Sequence, residues 1–390
     1  MKIAILTSGT QPVPAVRGGA VETLIDFCLE YNEQHQLHDI TVYSVWHPDV
    51  ENSTALKSDV NHYCFIKVHS LWAKLQKRLY KKVHGKEYYH YTIEYFFERA
   101  YSRMRKENYD LILVENRPGY LIKLGKRTRS RLIIHQENDY LNSDTRRYQE
   151  IYDAASVVIN TSEYITQRVK TINPQDEKSR TVLNGIDTSR FYNYQAGNRT
   201  TVGLKETDFV IVYSGRLTKE KGILELLKAI RQIDSIPNLK LLIIGASAYG
   251  KDKEPTPFIR QLEEMAEPIR ESVVFTGFVS YGNVPAYLKM GDVAVVPSMW
   301  EEPFGLTVVE AMAVGLPLVT TRSGGIPEIC EGVASIVERD GIVGNLTAAI
   351  TYLYEHPEKR EAMSRASIER SKYFSKERYA REFFETISNI

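Results

Sequence analysis

Short apolar runs rich in β-branched residues alternate along this chain with longer stretches whose apolar residues recur every three to four positions. The runs Ile3–Thr7, Ile40–Val45, Tyr63–Val68, Leu111–Val114, Leu132–His135, Val157–Asn160 and Arg180–Leu183 predict strands in the first half. Phe209–Tyr213, Leu241–Gly245, Val273–Gly277, Val293–Val296 and Leu316–Thr321 predict strands in the second. Helical patterns separate them, which is the signature of parallel sheet with crossover helices. At 390 residues the chain suits two domains, each able to bury its own core. The expected class is therefore α/β, with doubly wound, Rossmann-like parallel sheets.

Two helical stretches break the rhythm of the first half. From Lys67 to Lys86 there are seven positive residues, Lys67, Lys74, Lys77, Arg78, Lys81, Lys82 and Lys86, and no Asp or Glu. Leu71, Leu75, Leu79 and Val83 repeat at every fourth position, with Trp72 beside them. That is an amphipathic helix with a basic polar face, suited either to an anionic membrane surface through Leu71–Lys86 or to packing on the sheet with its charges in water. The next stretch, 87–108, carries Tyr88, Tyr91, Tyr95, Phe96 and Tyr101 and predicts a helix with a core-facing aromatic side.

Composition removes several function classes. Lysine plus arginine number 50 against 49 aspartate plus glutamate, a formal net charge of +1, so nothing global points to nucleic acid. Cys28, Cys64 and Cys330 are scattered without metal-ligand spacing and read as reduced thiols of a cytoplasmic protein. The opening MKIAILTSGT has an apolar run of only Ile3 to Leu6, which reads as a first strand and not as a signal peptide. No segment approaches about 18 consecutive apolar residues, so no spanning helix is expected.

Candidate chemistry gathers at the ends of predicted strands. After Ile3–Thr7 the chain lacks the G-x-G-x-x-G of a dinucleotide site, but Gly18 and Gly19 precede a helix and can bring backbone N–H groups close to a phosphate. Glu115 and Arg117 follow the fourth run, where a carboxylate and a guanidinium could meet an acceptor hydroxyl and phosphate, or could pair with each other. The fifth run ends at His135. In the second half, SGRLTKEKG places Gly215, Arg216 and Lys221 between a strand end and a helix, so that a fork-shaped and a compact cation could neutralise a diphosphate. Gly277 and Phe278 form a turn after another strand. Finally, Asp292 to Glu328 reads DVAVVPSMWEEPFGLTVVEAMAVGLPLVTTRSGGIPE, a strand, loop, helix and strand. Glu302 lies in the loop and Glu310 in the helix, and the N–H groups of Phe304, Gly305 and Leu306 open that helix as an anion or hydroxyl site.

The string EPFGLTVVEAMAVGLPLV, with its E-x7-E pair Glu302 and Glu310, resembles the donor-sugar motif of the retaining, nucleotide-sugar-dependent glycosyltransferases with two facing Rossmann-like domains, the GT-B architecture. SGRLTKEKG matches the same family's G-R-x4-K-G pattern, and VLNGID at 182–187 resembles its marker for the last strand of the first domain. The resemblance implies an acceptor-binding domain over 1–187, a linker over 188–200, a nucleotide-sugar domain over 201–374, an interdomain cleft, and a helix at 375–390 packing back on the first domain. It further implies that His135 touches the donor sugar, that Gly18 and Gly19 approach its phosphates, and that Gly277 and Phe278 wall the base. Glu302 would hold the sugar, Glu310 the ribose, and Arg216 and Lys221 the diphosphate. Lys376 stands where the family often carries tryptophan, and Gln136, Glu137 and Asn138 depart from its shorter form after His135.

The expected reaction is transfer of a hexose-type sugar, with retention, from a UDP-sugar to a glycan or lipid-linked acceptor in cell-surface polysaccharide or glycoconjugate synthesis. No two aspartates form D-x-D, so no metal and no cofactor are expected. Arg216, Lys221 and the helix end at 304–306 would instead stabilise charge on the leaving phosphate, an effect worth about 3–4 kcal/mol per donor. The family's front-face mechanism needs no carboxylate nucleophile. A GDP-sugar-dependent mannosyltransferase, a sugar-nucleotide epimerase and a non-catalytic sugar-nucleotide-binding protein are the alternatives. A cytoplasmic enzyme attached peripherally to the inner face of the membrane is the expected setting.

Overall fold

A computed structural model describes residues 1–84, 87–246 and 255–389. It divides the chain into two compact units, Met1–Asn184 with Lys376–Ile390, and Gly185–Ser375.

The first unit is built on β1 (Lys2–Leu6), β2 (Asp39–Val45), β3 (Asn61–Ile66), β4 (Leu111–Glu115), β5 (Arg131–Gln136), β6 (Val157–Asn160) and β7 (Ser179–Thr181). All pair in parallel, in the order β3-β2-β1-β4-β5-β6-β7. Successive side chains point to opposite faces, so alternate residues feed two cores. Ile3, Ile5, Leu111, Leu113, Ile133 and Ile159 pack under the helices Ala20–His35 and Lys376–Ser388. Ala4, Leu6, Ile112, Val114 and Ile134 pack under Tyr91–Met104, whose Tyr95, Phe96 and Phe97 supply the aromatic side expected there.

The C-terminal helix is a core element of this unit: Tyr379, Ala380, Phe383, Phe384 and Ile387 are buried. Truncating a buried phenylalanine such as Phe383 to alanine costs about 3–5 kcal/mol. Lys376 pairs with Glu30 at 2.9 Å and lies over the Phe27 ring, so a cation does there the docking that an aromatic residue would do.

The second unit carries β8 (Phe209–Ser214), β9 (Leu239–Ile244), β10 (Val273–Phe275), β11 (Val293–Val296), β12 (Leu318–Thr321) and β13 (Ser335–Val337). They too are parallel, in the order β10-β9-β8-β11-β12-β13. Residues 188–200, read as a linker, fold within this unit. Asp187 caps a helix Thr188–Asn193, Phe191 is buried, and the Gly197 N–H donates to the Ala286 carbonyl at 2.9 Å. The polar Asn- and Thr-rich composition concealed this because one buried aromatic ring carries the packing.

In each sheet the order reverses at one point, between β1 and β4 and between β8 and β11. The crevice beyond the carboxyl ends of strands at such a point is where ligands bind in open α/β sheets.

Candidate functional site

In the second unit the two switch-point strands lead straight into the two motif loops, and these interlock. The Met299 N–H donates to the Glu220 carbonyl at 2.8 Å. Gly222 adopts a left-handed conformation (φ 71°) with its Cα against the Pro297 carbonyl, where a Cβ would overlap the oxygen; only glycine fits. Across this seam the Lys221 Nζ lies 2.7 Å from Glu302 Oε1, and the Ser298 hydroxyl donates to the same oxygen at 2.6 Å. The Lys221 ammonium also sits 5.2 Å from the centre of the Trp300 ring. Glu302 is buried, and its carbonyl accepts the Gly325 N–H at 2.8 Å, tying the loop to the GGIPE turn. Glu301 points the other way, to the Gly324 N–H and Arg339.

Arg216 is exposed, and among the described residues its guanidinium has no hydrogen-bonded or ion-paired partner, while its carbonyl accepts the Tyr213 hydroxyl at 2.8 Å. The strand ends beside it are laced together: Gly215 N–H to the Ile244 carbonyl at 3.0 Å, and Gly245 N–H to the Gly277 carbonyl at 3.1 Å. Gly277 has a left-handed backbone with open space around it, and the Phe278 ring beside it is exposed. The Phe304 side chain is buried edge-on against Phe374, so only its backbone is offered to a ligand; Gly305 precedes the helix Leu306–Ala313.

Glu310 lies within that helix, buried, and burial pushes its carboxyl up to about 7 against a hydrogen bond with the Tyr281 hydroxyl. Tyr281 is itself braced by the ring of Phe191, and Arg190 bonds the neighbouring Gly282 carbonyl at 3.1 Å. The second unit thus brings together a free guanidinium, a cation held by a carboxylate, a helix opening and a buried acid. That set can bind a diphosphate joined to hydroxylated rings.

The first unit has its own cluster at its switch point. Arg117 Nε donates to the Ser8 carbonyl at 3.1 Å and its guanidinium lies over the Tyr89 ring. Ser8 and Thr10 share a hydroxyl bond of 2.7 Å. Glu22, in the first turn after Gly18 and Gly19, folds back over Gly19, and burial pushes its carboxyl up to about 7. Glu115 does not pair with Arg117. It accepts a bond of 3.0 Å from His135 Nδ1, and both side chains are buried.

His135 itself is only 1% exposed, packed edge-on to Phe383. Its Nε2 faces Glu137 at 3.1 Å without hydrogen-bond alignment. Burial lowers its basicity, but the charge and hydrogen bond of Glu115, with help from Glu137, overcome that and raise it to about 10. The strand end is where the sequence placed it; the side chain is turned into the core by the period-two alternation of β5, as an imidazolium between two carboxylates. Glu137 in turn accepts the Asn184 amide at 2.6 Å.

Sequence reasoning passed over Ser298, Trp300, Tyr281 and Glu22, and named Glu137 only as a departure from the family's form. Glu22 carried a signal, an acid one turn behind a Gly-Gly pair; Tyr281 and Trp300 carried none.

The basic helix Leu71–Val83 is inverted. Leu71 is 83% exposed, Trp72 75% and Val83 76%, with Leu75 and Leu79 also in solvent. Ala73 and Lys77 face inward instead, and Gln76 accepts the Tyr95 hydroxyl at 2.6 Å. Lys74, Arg78, Lys81 and Lys82 flank the outward apolar row; Lys86 lies outside the described residues.

Comparison with known proteins points to one family. Residues 196–370 match the model of the glycosyl transferases group 1 family. The match spans most of the second unit. Over 345 residues it is 28% identical to spore coat protein SA of Bacillus subtilis, covering 85% of this chain and 83% of that one. A putative glycosyltransferase of the same organism, YtcC, is 29% identical, covering 84% and 77%. The crystal structure of Anabaena Alr3699/HepE in complex with UDP and glucose superposes with a TM-score of 0.74 at 20% identity over the full length of both chains. At that identity the likeness shows the fold: two parallel-sheet α/β domains of the GT-B type. The matched segment holds both interlocked loops, Arg216 to Lys221 and Pro297 to Gly305.

Proposed function

We propose that this glycosyltransferase moves a hexose-type sugar from a UDP-sugar to a glycan or lipid-linked acceptor, with retention at the anomeric carbon and without a metal. The observation that carries the reading is the seam at the switch point of the second sheet. There a free guanidinium and a carboxylate-held ammonium stand beside a helix opening and two buried glutamates. Charge builds on the β-phosphate as its bond to the sugar breaks, and fixed cations aimed at that oxygen lower the barrier. Arg216 grips the diphosphate with a fork and Lys221 adds a compact charge. Glu302 and Glu310 accept hydrogen bonds from sugar and ribose hydroxyls, and Gly277 with Phe278 lines the base. The UDP-bound relative of the same fold supports uridine as the base.

On the first unit, Gly18 and Gly19 open the way to a phosphate, and Arg117 with Glu22 offers a cation and a carboxyl to an acceptor. Glu115 and His135 act from behind, His135 by holding Glu115 and Glu137 in place. The outward row Leu71, Trp72, Leu75, Leu79 and Val83, flanked by cations, fits an anionic lipid surface: an apolar face inserts shallowly while the charges meet headgroups. No described helix is long and apolar enough to cross a membrane; the attachment proposed is peripheral, at the inner face, beside a lipid-linked acceptor.

Calorimetric titration with UDP-glucose, UDP-galactose, UDP-N-acetylglucosamine and GDP-mannose, in EDTA, tests the donor assignment. A UDP-sugar should bind most tightly. Preference for GDP-mannose would select the mannosyltransferase alternative, and binding of none would overturn the reading.

A further inference from the structure

The Trp300 indole is a shielded side-chain donor of the donor loops that the described residues leave unpaired. Its Nε1 is shielded from solvent and has no acceptor among the described residues. Buried N–H groups are nearly always paired, because stripping one of water without replacing the bond is unfavourable, and an exception calls for a reason. The Met299 N–H bond to Glu220 holds the preceding residue to the facing loop, so the indole sits on a fixed support. Two residues away Glu302 is buried, and the Lys221 ammonium that lies 2.7 Å from Glu302 also lies over the Trp300 ring. One cation therefore covers a hydrogen-bond acceptor and stands against the ring of an unused donor.

A diphosphate attracts that ammonium. Once Lys221 turns to the phosphates, Glu302 and Trp300 face the ligand together, one able only to accept and the other only to donate. A sugar hydroxyl does both, and recognising it fully takes one partner of each kind. Arg216 and Lys221, the cationic side chains at this seam, are then engaged with phosphate.

We propose that Trp300 is a specificity-determining residue of the donor site, its indole N–H donating to a hydroxyl oxygen of the transferred sugar after Lys221 has moved to the diphosphate. This rests on the nucleotide-sugar reading above. Position 300 then selects for the sugar and not for the nucleotide.

Trp300→Phe keeps a ring under Lys221 and removes only the N–H. By calorimetry the variant should bind UDP within twofold of the parent, but bind the parent's preferred nucleotide sugar about tenfold more weakly, the effect of one hydrogen bond to a fixed donor. Its melting temperature should not fall, because an unpaired buried group has been removed. In a second arm, Trp46→Phe with Trp72→Phe leaves Trp300 as the only one of the chain's three tryptophans. Its emission should change on saturation with UDP as the cation leaves the ring, and Lys221→Met should abolish the change. Nucleotide-sugar affinity within twofold of the parent in Trp300→Phe would overturn the inference. Equal weakening of UDP and nucleotide sugar would put the N–H on the diphosphate and overturn it too. Failure of the parent to bind any nucleotide sugar overturns the donor reading itself, and shows in the parent and not in the variant.

Discussion

The Lys221 ammonium lies 2.7 Å from a Glu302 carboxylate oxygen, joining the loop after β8 to the loop after β11. Any diphosphate must compete with that carboxylate for the cation. Glu302→Gln should therefore bind free UDP about threefold to tenfold more tightly than the parent, the range expected for removing one partly buried competing charge. Turnover of the nucleotide sugar should nonetheless fall about a hundredfold, because the sugar is no longer held in a reactive pose. Unchanged UDP affinity with unchanged turnover would mean that the pair takes no part in binding.

Glu310 should make nucleotide binding depend on pH. Its carboxyl is raised from 4.5 to about 7 by burial, while ribose hydroxyls donate to the ionised form. Below pH 7 UDP must expel a proton, so its Kd should rise by about tenfold per unit of falling pH. At pH 6.5 the calorimetric enthalpy should vary with the ionisation enthalpy of the buffer. The same shift predicts a stability cost. A raised carboxyl stabilises nothing above its folded value, and the folded state loses ground as pH rises from 4.5 to 7, by about 3 kcal/mol. Glu310→Gln should flatten that loss and bind UDP more weakly at pH 8. Buffer-independent enthalpies at pH 6.5 would break the link between Glu310 and ribose.

His135 should prove to be a stabilising charge. With the value raised from 6.5 to about 10, its contribution is complete below pH 6.5 and is lost as pH rises through 10. His135→Asn removes the cation from between two buried carboxylates, which costs about 3–5 kcal/mol at pH 7. Thermal melts should show a parent that loses stability between pH 6.5 and 10 and a variant already low at pH 7. A variant that melts like the parent yet transfers no sugar would make His135 a group that contacts the donor.

The outward helix face is testable with vesicles. Protein should cosediment with phosphatidylglycerol vesicles at low salt and poorly with phosphatidylcholine vesicles, each cation near the surface adding about 1 kcal/mol. Lys74→Glu with Arg78→Glu and Lys82→Glu should abolish this while leaving UDP binding intact. Lys77 is not included because it faces inward. Equal sedimentation of variant and parent would remove the membrane from the account.

Much of this architecture was legible in the sequence because parallel strands buried on both faces read as short β-branched runs, and crossover helices as periodic ones. The donor loops were legible because glycine, proline and charge must fall at fixed places where a strand turns into a helix, as Gly222 does against Pro297. The helix Thr188–Asn193 was hidden in polar composition. The inward turn of His135 follows from the parity of β5, which periodicity predicts only once the strand's first residue is known. The inverted face of Leu71–Val83 looked the same in sequence as a core-facing helix, since spacing shows that a face exists but not which side it meets. Trp300 and Tyr281 acquire meaning only from neighbours 79 and 29 residues away, Lys221 and Glu310.

The central claim is that the loops after β8 and β11 hold a nucleotide-sugar diphosphate through Arg216 and Lys221. Titration of parent, Arg216→Ala and Lys221→Ala with UDP and the preferred nucleotide sugar, in EDTA and beside thermal melts, tests it directly. Saturable binding in the parent, with at least a hundredfold loss in transfer, weaker diphosphate binding and melting temperatures within a few degrees in both variants, is the expected result. Near-normal binding and turnover in both variants would contradict it.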